Sequence, residues 1–290
     1  MIRIGAFFVG IAFLVAVLWS FGVDAWTAAT TDEEHGPEYE YHEEPGPLHL
    51  TSDGPLGHWD EAQLQRGYQV YKEVCSACHS LKQVAFRDLA ALGYSDAQIK
   101  NIAAEWQVPG IDPNTGEATT VPGTPVDYFP SPYPNDVAAA AANNNAIPPD
   151  LSLITKARHG GAPYVYSLLV GYQVPPAELF EEYPDFTIGE TQHYNPWYKS
   201  LALAMAPPLT SDGQVTYAPG NPDPTIEQMA KDVTAFLVWT AEPTLVKRKQ
   251  TGYAVLLFVL FATILAYFAK KEIWRDAKPA SRKDDEGEAA

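Results

Sequence analysis

Cys75-Ser76-Ala77-Cys78-His79 is the stretch that decides how the rest of the chain is read. It has the form C-x-x-C-H, the attachment pattern for a c-type haem. Each thiol can form a thioether to one haem vinyl group, and the two-residue gap puts both sulfurs on one side of a helical turn. His79 follows at once and can offer a ring nitrogen to the iron. These are the only two cysteines in 290 residues. A disulfide or a thioredoxin-like redox pair is the competing reading. The redox pair would open a helix after a buried strand, whereas this motif ends a helical stretch, and a dithiol site has no use for the adjoining His. Zinc would need about four good ligands, and there is no second Cys pair.

Upstream of the motif, Asp60 is placed to cap a helix, with Gln63 three residues on as in a capping box. Leu64, Gly67, Tyr68, Tyr71 and Val74 fall on one side of it. Gly67 lowers helix propensity, and close approach of another helix would account for it. That second helix is expected to open at Asp223 or Thr225. Its Ile226, Met229, Val233, Phe236, Leu237 and Thr240 share an apolar face.

Further helices are expected over Phe86 to Leu92 and Asp96 to Trp106, split by Gly93. Pro109 to Pro134 reads as a long irregular insertion. Ala138 to Ala142 is helical and runs into three asparagines. Pro148-Pro149-Asp150-Leu151 is read as the start of the next helix, ended by Arg158-His159-Gly160-Gly161. Pro163 to Tyr172 is another short helix, and Pro175 to Ser200 reads as aromatic loop.

Both ends of the chain are apolar. Ile4 to Val23 is either a signal peptide or a retained anchor, being longer than an ordinary signal core. Gly252 to Ala269 is long enough to span a membrane, about 27 Å as a helix. Lys270, Lys271 and Arg275 follow it, but Lys247-Arg248-Lys249 precedes it, which blunts the positive-inside signal. Attachment of c-type haem requires export, so the tail is expected on the cytoplasmic side.

From Thr30 to Val246 there are 9 Lys and Arg against 29 Asp and Glu, a net −20. Phosphate binding needs the opposite sign, which excludes nucleic acid as a partner. A basic protein is the natural complement. Thr30 to Pro47, rich in Glu and Pro, reads as a solvated linker. The expected layout is 1–28 signal or N-terminal anchor, 29–56 acidic linker, 57–246 haem domain, 251–270 transmembrane helix and 271–290 charged tail.

The sixth iron ligand is narrowed by elimination. Met229 reads as core. Met205, in Ala204-Met205-Ala206-Pro207-Pro208, sits on a proline-stiffened loop that would hold a ligand still in both oxidation states. His159 and His193 remain alternatives. Met/His ligation raises the haem potential and leaves no open site, so one-electron transfer is the chemistry implied. Arg158 is the candidate partner for a haem propionate, with Tyr164 as a further donor; the alternative for Arg158 is a cation at a helix C-terminus.

Several stretches together resemble the cytochrome c1 family, the haem subunit of quinol:cytochrome c oxidoreductase. They include Gly67-Tyr68-Gln69-Val70-Tyr71-Lys72-Glu73-Val74-Cys75, Ala142-Asn143-Asn144, Pro148-Pro149-Asp150-Leu151-Ser152, Ala157-Arg158-His159-Gly160-Gly161 and Met205-Ala206-Pro207-Pro208. The resemblance covers roughly Gly57 to Trp274. It implies a mostly α cytochrome c-type haem domain with long loop insertions, plus a C-terminal anchor helix and an N-terminal apolar helix. It implies one covalent haem c, held by Cys75 and Cys78 and ligated by His79 and Met205, with Arg158, Tyr164, Asn143 and Pro149 lining it. It implies a cytochrome b subunit beside the anchor, a Rieske iron–sulfur protein as donor and a basic cytochrome c as acceptor. The chain alone would be an electron carrier, with quinol oxidation on partner subunits. The expected place is a bacterial inner membrane with the haem domain in the periplasm. The rivals are a membrane cytochrome c feeding an oxidase or nitric-oxide reductase, and a haem enzyme or gas sensor with a labile sixth ligand.

Overall fold

The computed structural model describes residues 2–30 and 36–275. The acidic residues 32–34, His35 and the charged tail from 276 onward lie outside the described residues. The elements that position the motif are two crossing helices, α3 (Glu61–Glu73) and α9 (Ile226–Ala241). Asp60 caps α3 by accepting the Gln63 N–H at 3.1 Å. The reciprocal half of the expected capping box is not made. The Gln63 side chain instead crosses to α9 and donates to Asp232 Oδ1 at 3.1 Å. Thr225, the second of the two expected caps, opens α9 by accepting the Gln228 N–H at 3.1 Å.

Gly67 lies at the crossing, as its place in the pattern predicts. A Cβ there would overlap the Asp232 carbonyl oxygen and stand 2.7 Å from Phe236 Cβ. No other residue allows the two backbones to approach this closely. Around the contact, Leu64, Tyr71, Met229, Phe236 and Trp239 are fully buried, so Met229 is a core residue. Phe86 and Phe129 extend the aromatic core, their ring centroids 4.4 Å apart. Asp232 is also wholly buried, and its charge is answered on every side. Arg66 Nε lies 2.8 Å from Oδ2, and Gln228 Nε2 donates to Oδ1 at 2.8 Å beside the Gln63 amide.

The remaining elements wrap this pair. The Phe86–Leu92 segment is a tight 3-10 helix closed by Gly93 in the left-handed region, φ 86°. α4 (Asp96–Ala104) stops short of the expected Trp106. α5 (Asp136–Ala142), α6 (Ile154–Ala157) and α7 (Gly161–Val170) follow.

Four expectations need correction. The insertion at 109–134 is not irregular throughout. β1 (Gln107–Ile111) and β2 (Ala118–Pro122) form an antiparallel hairpin with Val108 opposite Val121. Its tip is set by Asp112, whose Oδ1 accepts the Asn114 N–H at 2.7 Å. Pro148 to Leu151 does not start a helix, because Asp150 is engaged elsewhere, and helix begins only at Ile154. The 175–200 segment carries α8 (Ala177–Glu182), and β3 (His193–Tyr194) pairs with β4 (Ala202–Leu203).

The described part of the acidic segment is not a solvated linker. It contains the short α2 (Pro37–Glu40) and lies along the domain. Tyr41 Oη donates to Glu182 at 2.7 Å, and the Glu43 N–H donates to the Pro196 carbonyl at 2.8 Å. Tyr41 also packs on a second small core of Leu179, Tyr194 and Leu201. Aromatic residues among the acids supply the contact that charge alone would not.

Two helices stand away from this body. α1 (Ile2–Thr30) and α10 (Leu245–Ile273) are 29 residues each. That is about 43 Å of helix, enough to cross the ~30 Å hydrocarbon layer. Over 4–23 and 253–269 their side chains are exposed and almost all apolar, which suits lipid rather than water.

Candidate functional site

The helix that Gly67 seats on α9 ends at Glu73, and the next turn is the motif itself. Cys75–Ala77 forms a 3-10 turn, and the N–H groups of Cys78 and His79 both bond to the Cys75 carbonyl, at 3.1 and 2.9 Å. The two thiols are separate and half-buried. Burial, with Cys78 nearby, pushes the Cys75 thiol up to about 12. A thiol so poorly ionised is the reverse of a reactive dithiol centre. Tyr133 Oη lies 3.9 Å from Cys78 Sγ.

His79 is fixed from its far side. Its Nδ1 is 2.8 Å from the Pro149 carbonyl oxygen. A carbonyl can only accept, so Nδ1 carries the proton and Nε2 keeps its lone pair free. Burial lowers the His79 pKa against the opposing pull of Pro149 and Asp150, which favours the neutral ring that metal ligation needs. The Pro149 segment is itself tied to the motif. Asp150 Oδ2 accepts from Ser80 Oγ and from the Lys82 N–H, both at 2.8 Å, and Oδ1 accepts the Ser152 N–H at 2.9 Å. Burial alone would raise the Asp150 carboxyl, but these hydrogen bonds outweigh it and hold the group below its ordinary value. The Leu151 N–H returns to the Ser80 carbonyl at 2.9 Å.

Arg158 and Tyr164 come together farther along. Arg158 ends α6, and Gly160, with φ 82°, turns the chain into α7, whose first residue Gly161 has φ 59°. Both side chains line a cavity of about 840 Å³, together with His159, Lys199 and, from the acidic segment, His42 and Glu44. Burial raises the Tyr164 pKa while the Arg158 charge opposes it, so the two groups sense each other.

Met205 lies on a third segment, half-buried just after β4. Tyr172 Oη donates to its backbone carbonyl at 3.0 Å. Four residues earlier Leu201 is buried with φ 59°, a conformation that costs a non-glycine residue about 1 kcal/mol. Asn143 ends α5, and its amide donates to the Ala139 carbonyl at 2.7 Å, closing its own helix.

The structure therefore joins Cys75, Cys78, His79 and Pro149 in one network and Arg158 with Tyr164 in another. Among the described residues, no hydrogen bond or ion pair links Met205 or Asn143 to either. Sequence reasoning missed Asp150, Tyr172 and Lys199. Asp150 had a visible signal, an acid directly after two prolines with a serine two residues on. Two thiols at this spacing, a neutral imidazole with one free nitrogen and a cation at a cavity rim fit a haem with acidic propionates.

Residues 50–277 match the Cytochrome C1 family. The cytochrome c1 of Rhodospirillum rubrum is 47% identical over 234 residues, covering 78% of this chain and 85% of that protein. A mitochondrial cytochrome c1-2 haem protein of Solanum tuberosum is 42% identical over 249 residues, 86% of this chain and 90% of that one. A protein named cytochrome b/c1 from Bradyrhizobium diazoefficiens is 45% identical over 239 residues, which is 77% of this chain but 34% of that protein.

Proposed function

The chain belongs to the cytochrome c1 family, the haem subunit of the cytochrome bc1 complex, and is an electron-transport protein; from that premise we propose how its residues hold the haem and which partners it serves. The haem is a covalent haem c, attached through Cys75 and Cys78. His79 Nε2 and the Met205 sulfur would ligate its iron. When bound, it supplies one-electron chemistry, the iron passing between ferrous and ferric states.

The hydrogen bond from His79 Nδ1 to the Pro149 carbonyl carries this reading. It selects the tautomer with Nε2 free, orients the ring and raises its basicity as a ligand. Arg158 and Tyr164 receive a propionate, Arg158 as the charge partner and Tyr164 as a donor. Asn143 and Pro149 line the haem, Pro149 through its carbonyl. Met205 and its prolines exclude exogenous ligands, which keeps the chain an electron carrier with no substrate chemistry of its own.

The cytochrome b subunit and the Rieske protein are its neighbours in the complex. The match to a third of a protein named cytochrome b/c1 supports a cytochrome b partner in particular. The net −20 between the apolar segments supports a basic cytochrome c as acceptor. The haem domain stands in the periplasm of a bacterial inner membrane, with the tail on the cytoplasmic side.

Purification in mild detergent through a tag on the C-terminal tail tests this. This chain should stain for haem on a denaturing gel, and b-type haem and an iron–sulfur subunit should accompany it. Cys75→Ala with Cys78→Ala should abolish the stain. Haem that washes out of the denatured wild-type chain would overturn the covalent assignment, and arrival of the chain alone or with an oxidase would overturn the partners.

A further inference from the structure

Lys247-Arg248-Lys249 stands at the haem-domain end of α10, where the positive-inside rule expects few cations. Two of the three are engaged by protein. Lys249 Nζ donates to the Ser52 and Gly54 carbonyls, each at 2.8 Å. One turn on, Tyr253 Oη donates to the Pro55 carbonyl. Arg248 pairs with Glu242 at the end of α9, and the other oxygen of Glu242 holds Lys156 of α6 at 2.8 Å.

The turn that receives Lys249 and Tyr253 is stiff. Asp53 Oδ2 accepts the Leu50 N–H at 2.8 Å, and the His58 N–H reaches back to the Thr51 carbonyl at 2.9 Å. Gly57 approaches the Ser52 carbonyl so closely that a Cβ there would overlap it. Ser52 is buried, and Leu50 belongs to the main core. The covalent link between α9 and α10 is by contrast short and plain, Glu242 to Thr244. Such a link alone would leave a swivel. Three side chains from the first turns of α10 instead grip two separate parts of the haem domain, the 52–55 turn and the end of α9.

We propose that Lys249 and Tyr253 are positioning residues that lock α10 to the 52–55 turn, so that the anchor is a rigid stalk holding the haem domain at one tilt and height above the membrane. No α10 residue is buried in the domain core, so the lock acts on orientation and not on folding. A lysine that gives two hydrogen bonds to carbonyls needs both length and charge, which explains a cation on the side where topology disfavours it. Electron transfer weakens steeply with distance, so a fixed height lets a partner anchored in the same membrane meet the haem at one separation.

The test uses the full chain in its complex, spin-labelled at Ala62→Cys on α3 and Ala262→Cys on α10. With the joint intact, the distance distribution between labels should be single and narrow. Lys249→Met with Tyr253→Phe should at least double its width while the haem spectrum and the melting temperature of the domain stay unchanged. Lys249→Arg in the otherwise native joint should keep the narrow distribution. An unchanged width in the double variant would overturn the proposal. So would a broadening that comes with a lower melting temperature, since that would place the contacts in the fold itself.

Discussion

His79 and Met205 are assigned the same task, and their surroundings differ. On the His79 side the ring is hydrogen-bonded to Pro149, and the next residue, Asp150, accepts three hydrogen bonds that return to the haem motif and its own loop. On the Met205 side the described polar tie is to the backbone, from Tyr172. Conformational restriction supplies the remainder, through Pro207 and Pro208 after Met205 and the left-handed Leu201 before it. His79 is held by directional bonds and Met205 by a stiff chain. A thioether has no N–H to orient, so only its backbone can be placed.

The largest effect that would break this contrast is Met205→Leu. Haem should stay attached, the potential should fall, and the reduced protein should go from excluding carbon monoxide to binding it fully. An unchanged potential would remove Met205 as the ligand. Next in size is Asp150→Asn, which weakens bonds to a charged acceptor and should cost ~1–2 kcal/mol at neutral pH by denaturant unfolding. The sign with pH is fixed by the depressed folded pKa of Asp150. Its contribution is fully present above the unfolded value near 3.8 and is lost as pH falls through the lower folded value. Wild type and variant should therefore converge in acid; a gap that persists there would mean the carboxylate charge is not what matters. The smallest effect is Tyr172→Phe. Loss of one neutral hydrogen bond, ~1 kcal/mol, should raise the carbon monoxide-accessible fraction a few-fold without moving the His79 side. A spectrum altered on the histidine side would show the two walls to be coupled.

The sequence made one of these walls easier to read than the other. The helices that carry the motif were legible because periodicity and caps act within a few residues, and Gly67 announced its crossing by being the wrong residue for a helix. The family resemblance located Pro149, but nothing in a proline reveals that its carbonyl will orient a histidine 70 residues away. Backbone acceptors have no residue signature. The hairpin at 107–122 was hidden because its Pro, Gly and Asn content mimics loop, although the Thr119-Thr120-Val121 run favours strand. The acidic segment misled because charge was weighed over Tyr41, whose ring and hydroxyl do the docking.

The buried carboxylate of Asp232 also acts as an address. Gln63 and Arg66 on α3 reach it only in the observed register. Sliding α3 by one turn, 5.4 Å, would strand that charge in an apolar core at a cost of several kcal/mol. It would also drive a side chain other than Gly67 into the crossing. The cysteines lie in and just after the 3-10 turn that follows α3, so a mis-set helix would present them in the wrong place. By penalising that slip, a residue more than 150 positions away in sequence specifies where the two cysteines are presented.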